Sequence, residues 1–336
     1  MAALDDDVSR PTLAEVALLA GVSIATASRV LSRSAPVADR TRARVEHAVA
    51  ELGYVRQRAP AAGRDSGALS VVVFDDMLRY QRDSFYSRLL VGAERATHEV
   101  GLELVVLTAL RHSPRDSLLH YLCGGHVDGV IMVGMRSDGA PARLVRTAGV
   151  PVICLGRSGT ADLSYVDADN LGGALQAVTH LLASGRRSIA TIAGPRDMTV
   201  ADDRLAGYQQ GLVEAGFEPD RAVCRGDFTA ASGEHAMLRL LDRYPGMDAV
   251  FAASDLMAMG ALRVLHRLGV RVPDEVAVVG FDDAALALHT MPLLTTVRQP
   301  VEEMGARSVA ELLAQRRGDK HRTVVLPTTL VLRDSA

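Results

Sequence analysis

No apolar stretch in this 336-residue chain approaches the roughly 18 to 20 residues that a helix needs to cross a bilayer. The start, MAALDDDVSR, is acidic where a secretory leader is basic and then apolar. These absences lead to the expectation of a cytoplasmic protein with no membrane partner. Cysteine is scarce as well: Cys123, Cys154 and Cys224 are odd in number, far apart and without C-x-x-C spacing, which argues against a disulfide framework and for buried free thiols. Catalytic signatures are missing too. There is no G-x-G-x-x-G after the first strand, no G-x-x-x-x-G-K-[ST], no G-x-S-x-G and no H-E-x-x-H, and the ten histidines show no metal-ligand spacing. An enzyme is therefore not expected, nor a cofactor, nor a bound metal.

What is present is a long, well-supplied chain. At 48% hydrophobic content it can bury a large core, and its length suits two or three folding units. The net charge of -3 conceals an asymmetry: residues 8 to 64 hold nine arginines and four acids, so the rest is acidic overall. A basic head on an acidic body suits phosphate contact, although an ordinary arginine-coated surface gives a similar count.

From Thr12 to Gly53 the pattern is helical. Leu13, Val16, Ala17 and Ala20 follow three-and-four spacing, Thr12 and Glu15 form a candidate capping box, and Gly21 breaks the helix. Ser23 caps a second helix, IATASRVLS, and a third is expected over Asp39 to Leu52 with Val45, Ala48, Val49 and Leu52 inward. The stretch RQRAPAAGRDSGA, poor in large apolar side chains and carrying Pro60, Gly63 and Gly67, reads as a linker. The expected division is a helical head over 1–55, a linker over 56–68, and a larger α/β body over 69–336. Beyond the linker, LSVVVFD, LELVVLT, VDGVIMVG, VPVICLG, SIATIAG, AVFAAS and VAVVGFDD read as buried strands separated by amphipathic helices. That alternation implies parallel sheets with ligand-facing loops at the strands' carboxyl ends, and about 270 residues of it imply two similar lobes around a cleft.

LAEVALLAGVSIATASRVLS has the order a helix-turn-helix requires: a helix ending in a small residue, a glycine turn, then a capped second helix. On that second helix Ile24, Ala25 and Arg29 would project toward base edges in the major groove, with Arg29 the natural reader of guanine. Ser23, Thr26 and Ser28 offer hydroxyls to phosphates, and Thr12 joins them as a candidate DNA contact. On spacing alone, the surface of an ordinary small helical bundle stays open as an alternative.

TLAEVALLAGVSIATASRVLS followed by APVADRTRARVEHAVAELGY resembles the head of the LacI/GalR (lactose-repressor) family, and DADNLGGALQAVTHLLASGRRSIATIAGP, DRLAGYQQGL, AVFAASDLMAMGALRVLHRLGVRVPDEVAVVGFDD and PLLTTVRQP resemble its effector domain. The resemblance covers nearly the whole chain. It implies an α/β protein with an all-α helix-turn-helix head and a two-lobed, periplasmic-binding-protein-like effector domain with parallel sheets. It further implies a transcriptional repressor, a homodimer on a pseudo-palindromic double-stranded operator, whose DNA affinity is set by a small polar effector such as a sugar or polyol. One departure stands out: where the family carries a leucine wedge in its hinge helix this chain has Gly63, with Pro60 and Gln57 at other hinge positions, so weaker operator kinking is expected.

Binding a polyol takes planar polar groups for paired hydroxyls and an aromatic face for the C–H side. By the family pattern Arg204, Ser254, Asp282 and Gln299 supply the first, Phe228 the second, and Phe85 and Tyr86 grip from the opposite lobe, with Asp76 a weaker candidate. Arg204 and Asp282 as a structural ion pair, and Phe228 as plain core, remain open readings. Asp255 is expected to cap the helix LMAMGALRVL. A transport-type solute receptor would look alike from residue 69 onward, but the basic head argues against it.

Overall fold

The computed structural model describes residues 11–32, 37–52, 54, 66–74, 83–109, 116–134, 145, 149–158, 163–218, 222–319 and 322–336. Asp76 and the hinge positions Gln57, Pro60 and Gly63 lie outside them. The chain divides into two compact units, Met1–Ser66 with Pro114–His126, and Gly67–Ser113 with Val127–Ala336.

In the first unit, α1 (Leu13–Leu19), α2 (Ile24–Ser32) and α3 (Asp39–Leu52) surround a small core of Val16, Ala17, Ala20, Ala27, Val30, Val45 and Ala48. The helices start and stop for local reasons. The Thr12 hydroxyl accepts from the Glu15 amide while the Glu15 carboxylate accepts from the Thr12 amide, a reciprocal box that removes two orphan donors. Gly21 then takes φ +61, the left-handed region that side chains avoid, and a Cβ there would run into the Arg44 guanidinium, whose Nη2 donates to the Gly21 carbonyl at 3.0 Å. The resulting bend between α1 and α2 is 103°, within the range of helix-turn-helix units. Ala17, Ala20 and Ala27 at the crossing let the two helices approach closely.

The second unit holds two six-stranded sheets in two lobes. The chain runs through β1 (Ala68–Val73), α4 (Ser84–Glu99) and β2 (Glu103–Thr108), gives α5 (Asp116–Cys123) to the first unit, and continues through β3 (Val130–Val133), β4 (Val152–Leu155) and β5 (Tyr165–Ala168). It then crosses to the second lobe for α6 (Asn170–Ala183), β6 (Ile189–Ala193), α7 (Thr199–Glu214), β7 (Val223–Arg225), α8 (Ala230–Arg243), β8 (Ala249–Ala252), α9 (Asp255–Arg267), β9 (Ala277–Asp282) and β10 (Thr295–Arg298). It returns for α10 (Val301–Arg316) and β11 (Thr323–Leu326) and crosses once more to end on β12 (Thr329–Val331).

Strand order is β11-β5-β4-β3-β1-β2 in the first lobe and β12-β10-β9-β8-β6-β7 in the second. Every pairing is parallel except β10 with β12. Parallel central strands need cover on both faces, which is why β1, β3, β4, β6 and β8 are buried at every position. In the second lobe α6 and α7 cover one face through Val178, Leu181, Tyr208 and Leu212, and α8 and α9 the other through Met237, Leu240, Met257 and Leu265. In the first lobe α4 and α10 pack on Leu69, Val71, Ile131 and Ile153. These two helices touch backbone to backbone: a Cβ at Gly92 would overlap the Glu302 carbonyl, and one at Gly305 the Leu89 carbonyl.

The seven strands expected from β-branched runs are β1 to β4, β6, β8 and β9, but β2, expected to be buried, lies at the sheet edge and is half-buried or exposed at every position. Cys154 and Cys224 are buried free thiols. No single helix among the described residues is long and apolar enough to cross a membrane.

Candidate functional site

Parallel α/β sheets gather their loops at the strands' carboxyl ends, and in the second unit both sheets bring those ends to one cleft whose empty space, open solvent included, is about 720 Å³. Every expected effector residue but Asp76, which lies outside the described residues, lines it: Phe85 and Tyr86 from the start of α4, Arg204 from α7, Phe228 before α8, Ser254 after β8, Asp282 at the end of β9 and Gln299 after β10.

Arg204 is the centre of the polar floor. It is 5% exposed, and a guanidinium so deep needs partners to offset its lost hydration. Its Nε donates to Asn170 Oδ1 at 2.9 Å, its Nη1 to the Ala253 carbonyl at 2.7 Å and to Asp282 Oδ1 at 3.3 Å, and its plane lies over Phe281 with Cζ 3.9 Å from the ring centroid. Gln299, also buried, donates Nε2 to the same Asp282 oxygen at 2.6 Å. Burial pushes the Asp282 carboxyl up to about 7 against the pull of Arg204, with Asp83 adding repulsion and Gln299 working the other way. Arg204 and Asp282 thus form an ion pair and face the cleft at once, so the two readings left open by the sequence coexist. Phe228 is likewise both: it is 6% exposed, packs in the core of the second lobe and presents its ring to the cleft, from a backbone at φ +67. Asp282 at φ +120 and Asp283 at φ +49 are held in unfavourable conformations as well, a concentration of strain that folded chains keep where side-chain placement is at stake.

One expectation needs adjustment. Ser254, not Asp255, caps α9: its backbone is extended, at φ -159 and ψ 156, and its hydroxyl accepts from the Met257 amide at 3.3 Å. Asp255 is already in the first helical turn and fully buried, accepting from Thr296 Oγ1 at 2.5 Å and the Ala284 amide at 2.8 Å, with its carboxyl raised by burial. Tyr86, 4% exposed, belongs to the first lobe's core as well as to the cleft lining, its ring meeting that of Phe85 edge to face at 5.6 Å.

The sequence reading missed several lining residues. Asp167 sits in the otherwise apolar β5, its oxygens accepting from the Ala168 amide at 2.8 Å, Asn170 Nδ2 at 2.9 Å and the Arg157 amide at 3.1 Å; burial pushes its carboxyl up to about 6. Arg157, after β4, reaches across to Asp203 of α7 at 2.6 Å, and its carbonyl accepts from the Thr199 hydroxyl at 2.7 Å. Asp83 caps α4 through the Phe85 amide at 3.0 Å. An acid inside an apolar strand was the available signal for Asp167. Among the described residues no cluster of histidine, cysteine and carboxylate side chains has the makings of a metal site.

In the first unit, α2 buries Ala27 and Val30 and turns Ile24, Ala25 and Arg29 outward, Ile24 being 54% exposed. The Ser23 hydroxyl accepts from the Thr26 amide at 3.1 Å and meets the Thr26 hydroxyl at 2.8 Å, so it serves as the helix cap the spacing predicted. Ser28 is half-buried, and Thr12 is exposed within its capping box.

A helix-turn-helix head carried in one chain with a two-lobed, cleft-bearing domain defines a ligand-responsive DNA-binding regulator. Comparison with known proteins agrees at both ends: residues 12–57 match the model of bacterial regulatory proteins of the lacI family, and residues 178–336 that of a periplasmic binding protein-like domain. The chain is 44% identical over 335 residues to the HTH-type transcriptional regulator CelR of Thermobifida fusca, covering 97% of this chain and 98% of that one. It is 34% identical to the HTH-type transcriptional repressor CytR of Escherichia coli, covering 91% and 90%. Among solved structures, a CelR–cellobiose complex superposes with a TM-score of 0.79 at 43% identity, covering 97% of this chain and all of that one. A lac repressor dimer bound to operator and the anti-inducer ONPF gives 0.72 at 31% identity, covering 97% and 99%. The chain belongs to the lacI family: it is a DNA-binding transcriptional regulator, not an enzyme.

Proposed function

We propose that this regulator is a cytoplasmic repressor that binds a pseudo-palindromic operator as a homodimer and leaves it when a sugar of one or two rings fills the cleft. Residues 1–55 act as the DNA-reading head, 56–68 as the hinge, and 69–336 as the effector-binding and dimerising body. The observation that carries the reading is the buried Arg204, Asp282 and Gln299 network set beside the Phe228 ring. Fixed planar donors and acceptors recognise vicinal hydroxyls, and an aromatic face accepts the C–H side of a pyranose. Ser254 adds a hydroxyl, and Phe85 and Tyr86 close on the ligand from the first lobe; Asp76 joins them on the strength of its sequence position alone. The likeness to a regulator solved with cellobiose makes that disaccharide the first probe.

In the head, Ile24, Ala25 and Arg29 read base edges while Ser23, Thr26, Ser28 and Thr12 hold phosphates. Selection of bound sequences from random duplex DNA, repeated with cellobiose and a panel of mono- and disaccharides, tests both halves. The expected result is a two-fold symmetric consensus whose recovery one sugar abolishes. An unselected pool overturns the operator reading, and a consensus indifferent to every sugar overturns the effector reading.

A further inference from the structure

We propose that Arg88 is a positioning residue for the effector cleft, holding the polar floor of the second lobe in register with the aromatic wall of the first. The inference rests on the reading of the cleft as the effector site. Arg88 lies on α4, one turn beyond Phe85, and points away from the ligand space toward the back of the turn that carries Asp282. Its Nε and Nη2 grip Glu302 in a two-pronged pair at 2.7 and 2.9 Å. The remaining donors go to three main-chain carbonyls: Nη1 to Asp282 at 3.2 Å and Asp283 at 3.4 Å, Nη2 to Gln299 at 3.3 Å.

Two of those carbonyls belong to the residues whose side chains meet in the cleft, Gln299 Nε2 on Asp282 Oδ1 at 2.6 Å. The same guanidinium therefore fixes both backbones from behind. Asp282 and Asp283 need such support, because φ values of +120 and +49 persist only where surrounding contacts over-determine them. The anchor is itself rigid: Glu302 sits in the first turn of α10, and α10 meets α4 backbone to backbone at Gly92 and Gly305. Other groups hold the far side of the turn, Asp255 on the Ala284 amide and Arg298 and Arg333 on the Asp283 carboxylate. Among these supports, Arg88 is the one that comes from α4, the helix that carries Phe85 and Tyr86.

A planar five-donor fork does this and an ammonium cannot. Lysine at this position keeps the charge pair with Glu302 and loses the span to three carbonyls, which separates positioning from mere ion pairing. The test compares the full-length chain with R88K and R88M, reading thermal midpoint, hydrogen exchange of the segment containing Asp283 and Ala284, and cellobiose affinity by calorimetry. The expected result is an R88K midpoint near wild type with exchange of the 282–284 turn about tenfold faster, and cellobiose binding weakened by about tenfold or more. R88M shows the same losses with a lower midpoint; should it fail to fold, R88K alone decides. Unchanged exchange in R88K overturns the proposal and reduces Arg88 to half of an ion pair. If the wild-type chain does not bind cellobiose, the sugar reading is what suffers, while the exchange comparison still decides the role of Arg88.

Discussion

Replacing Arg204 by methionine keeps the stem's length and removes the guanidinium. At a separation of 3.3 Å the Arg204–Asp282 attraction is about 5 kcal/mol for an effective dielectric near 20, and the desolvation of both groups cancels much of it. What the single variant cannot cancel is what stays behind: a carboxylate without its cation, and Asn170 Oδ1 and the Ala253 carbonyl without a donor. Breaking a buried pair in this way costs about 3–5 kcal/mol. Protonation limits the damage. The Asp282 carboxyl stands at about 7 with Arg204 pulling it down, so without that pull it titrates higher and is mostly neutral at pH 7. We therefore expect R204M to lose about 3 kcal/mol at pH 7, more at pH 8.5, where the wild-type carboxyl is ionised against Arg204 while the variant's must still hold its proton, and less at pH 6. The double variant R204M/D282N is expected to be more stable than R204M and to show no such trend. Urea unfolding followed by circular dichroism at the three pH values measures this. A loss below about 1 kcal/mol throughout, or no recovery in the double variant, refutes the argument that Asp282 depends on its cation.

Three shorter predictions follow from the same structure. The unfolded carboxyls of Asp167 and Asp282 titrate near 3.9, and in the folded state they stand at about 6 and about 7, so the folded state binds more protons and stability rises as pH falls from 7 toward 5. D167N/D282N should flatten that slope, and below about pH 4.5 the lowered groups Glu302 and Asp283 reverse it as their ion pairs are lost. Ser23→Ala removes the α2 cap and should lower the stability of the head by about 1 kcal/mol, read from the head's own melting transition by near-ultraviolet dichroism or amide exchange. Arg29→Ala should weaken the selected operator roughly ten- to hundredfold with little change for random duplex, measured by fluorescence anisotropy; equal weakening on both sequences would assign Arg29 to phosphate.

The head was legible almost residue by residue because its signals are local. Thr12 and Glu15, Gly21, Ser23 and the apolar spacing of Val45 and Ala48 all act within one or two turns of themselves. The central strands were legible because burial on both faces leaves unbroken β-branched runs, as in Val71, Val72 and Val73. The sequence reading did not single out β5, β7, β10, β11 and β12 as strands: they are three or four residues long, and polar side chains such as Asp167 interrupt them. Ser254 and Asp255 show the limit most clearly. Both are good caps, and the choice between them was made by Thr296 and Ala284, 41 and 29 residues away, which claim the Asp255 carboxylate and leave the cap to its neighbour. Arg88 escaped notice for the same reason, since three of its acceptors are carbonyls, which no side-chain pattern reveals.

On the proposed reading of the cleft as the effector site, the chain's path gives it the means to act as a switch. The chain crosses between the two lobes after β5, after β10 and after β11, and the first and third crossings are stitched together by the Asp169 amide on the Leu326 carbonyl at 2.8 Å and the Thr328 hydroxyl on the Asp169 carbonyl at 3.1 Å. Asp167 and Asn170 flank the first crossing and Gln299 opens the second, so part of the polar floor belongs to the crossings. A ligand held by such residues contacts the groups whose backbone angles set the lobe separation, and it favours whichever separation gives those contacts their best geometry. Arg157 on Asp203 and Arg88 on the 282–283 turn link the lobes across the same gap, contacts that a bound ligand would oppose or complete. An affinity difference of about 5.5 kcal/mol between two separations would carry the population from one to the other almost completely, and a few charge-assisted hydrogen bonds at the hinge, at about 1.5–3 kcal/mol each, are of that order.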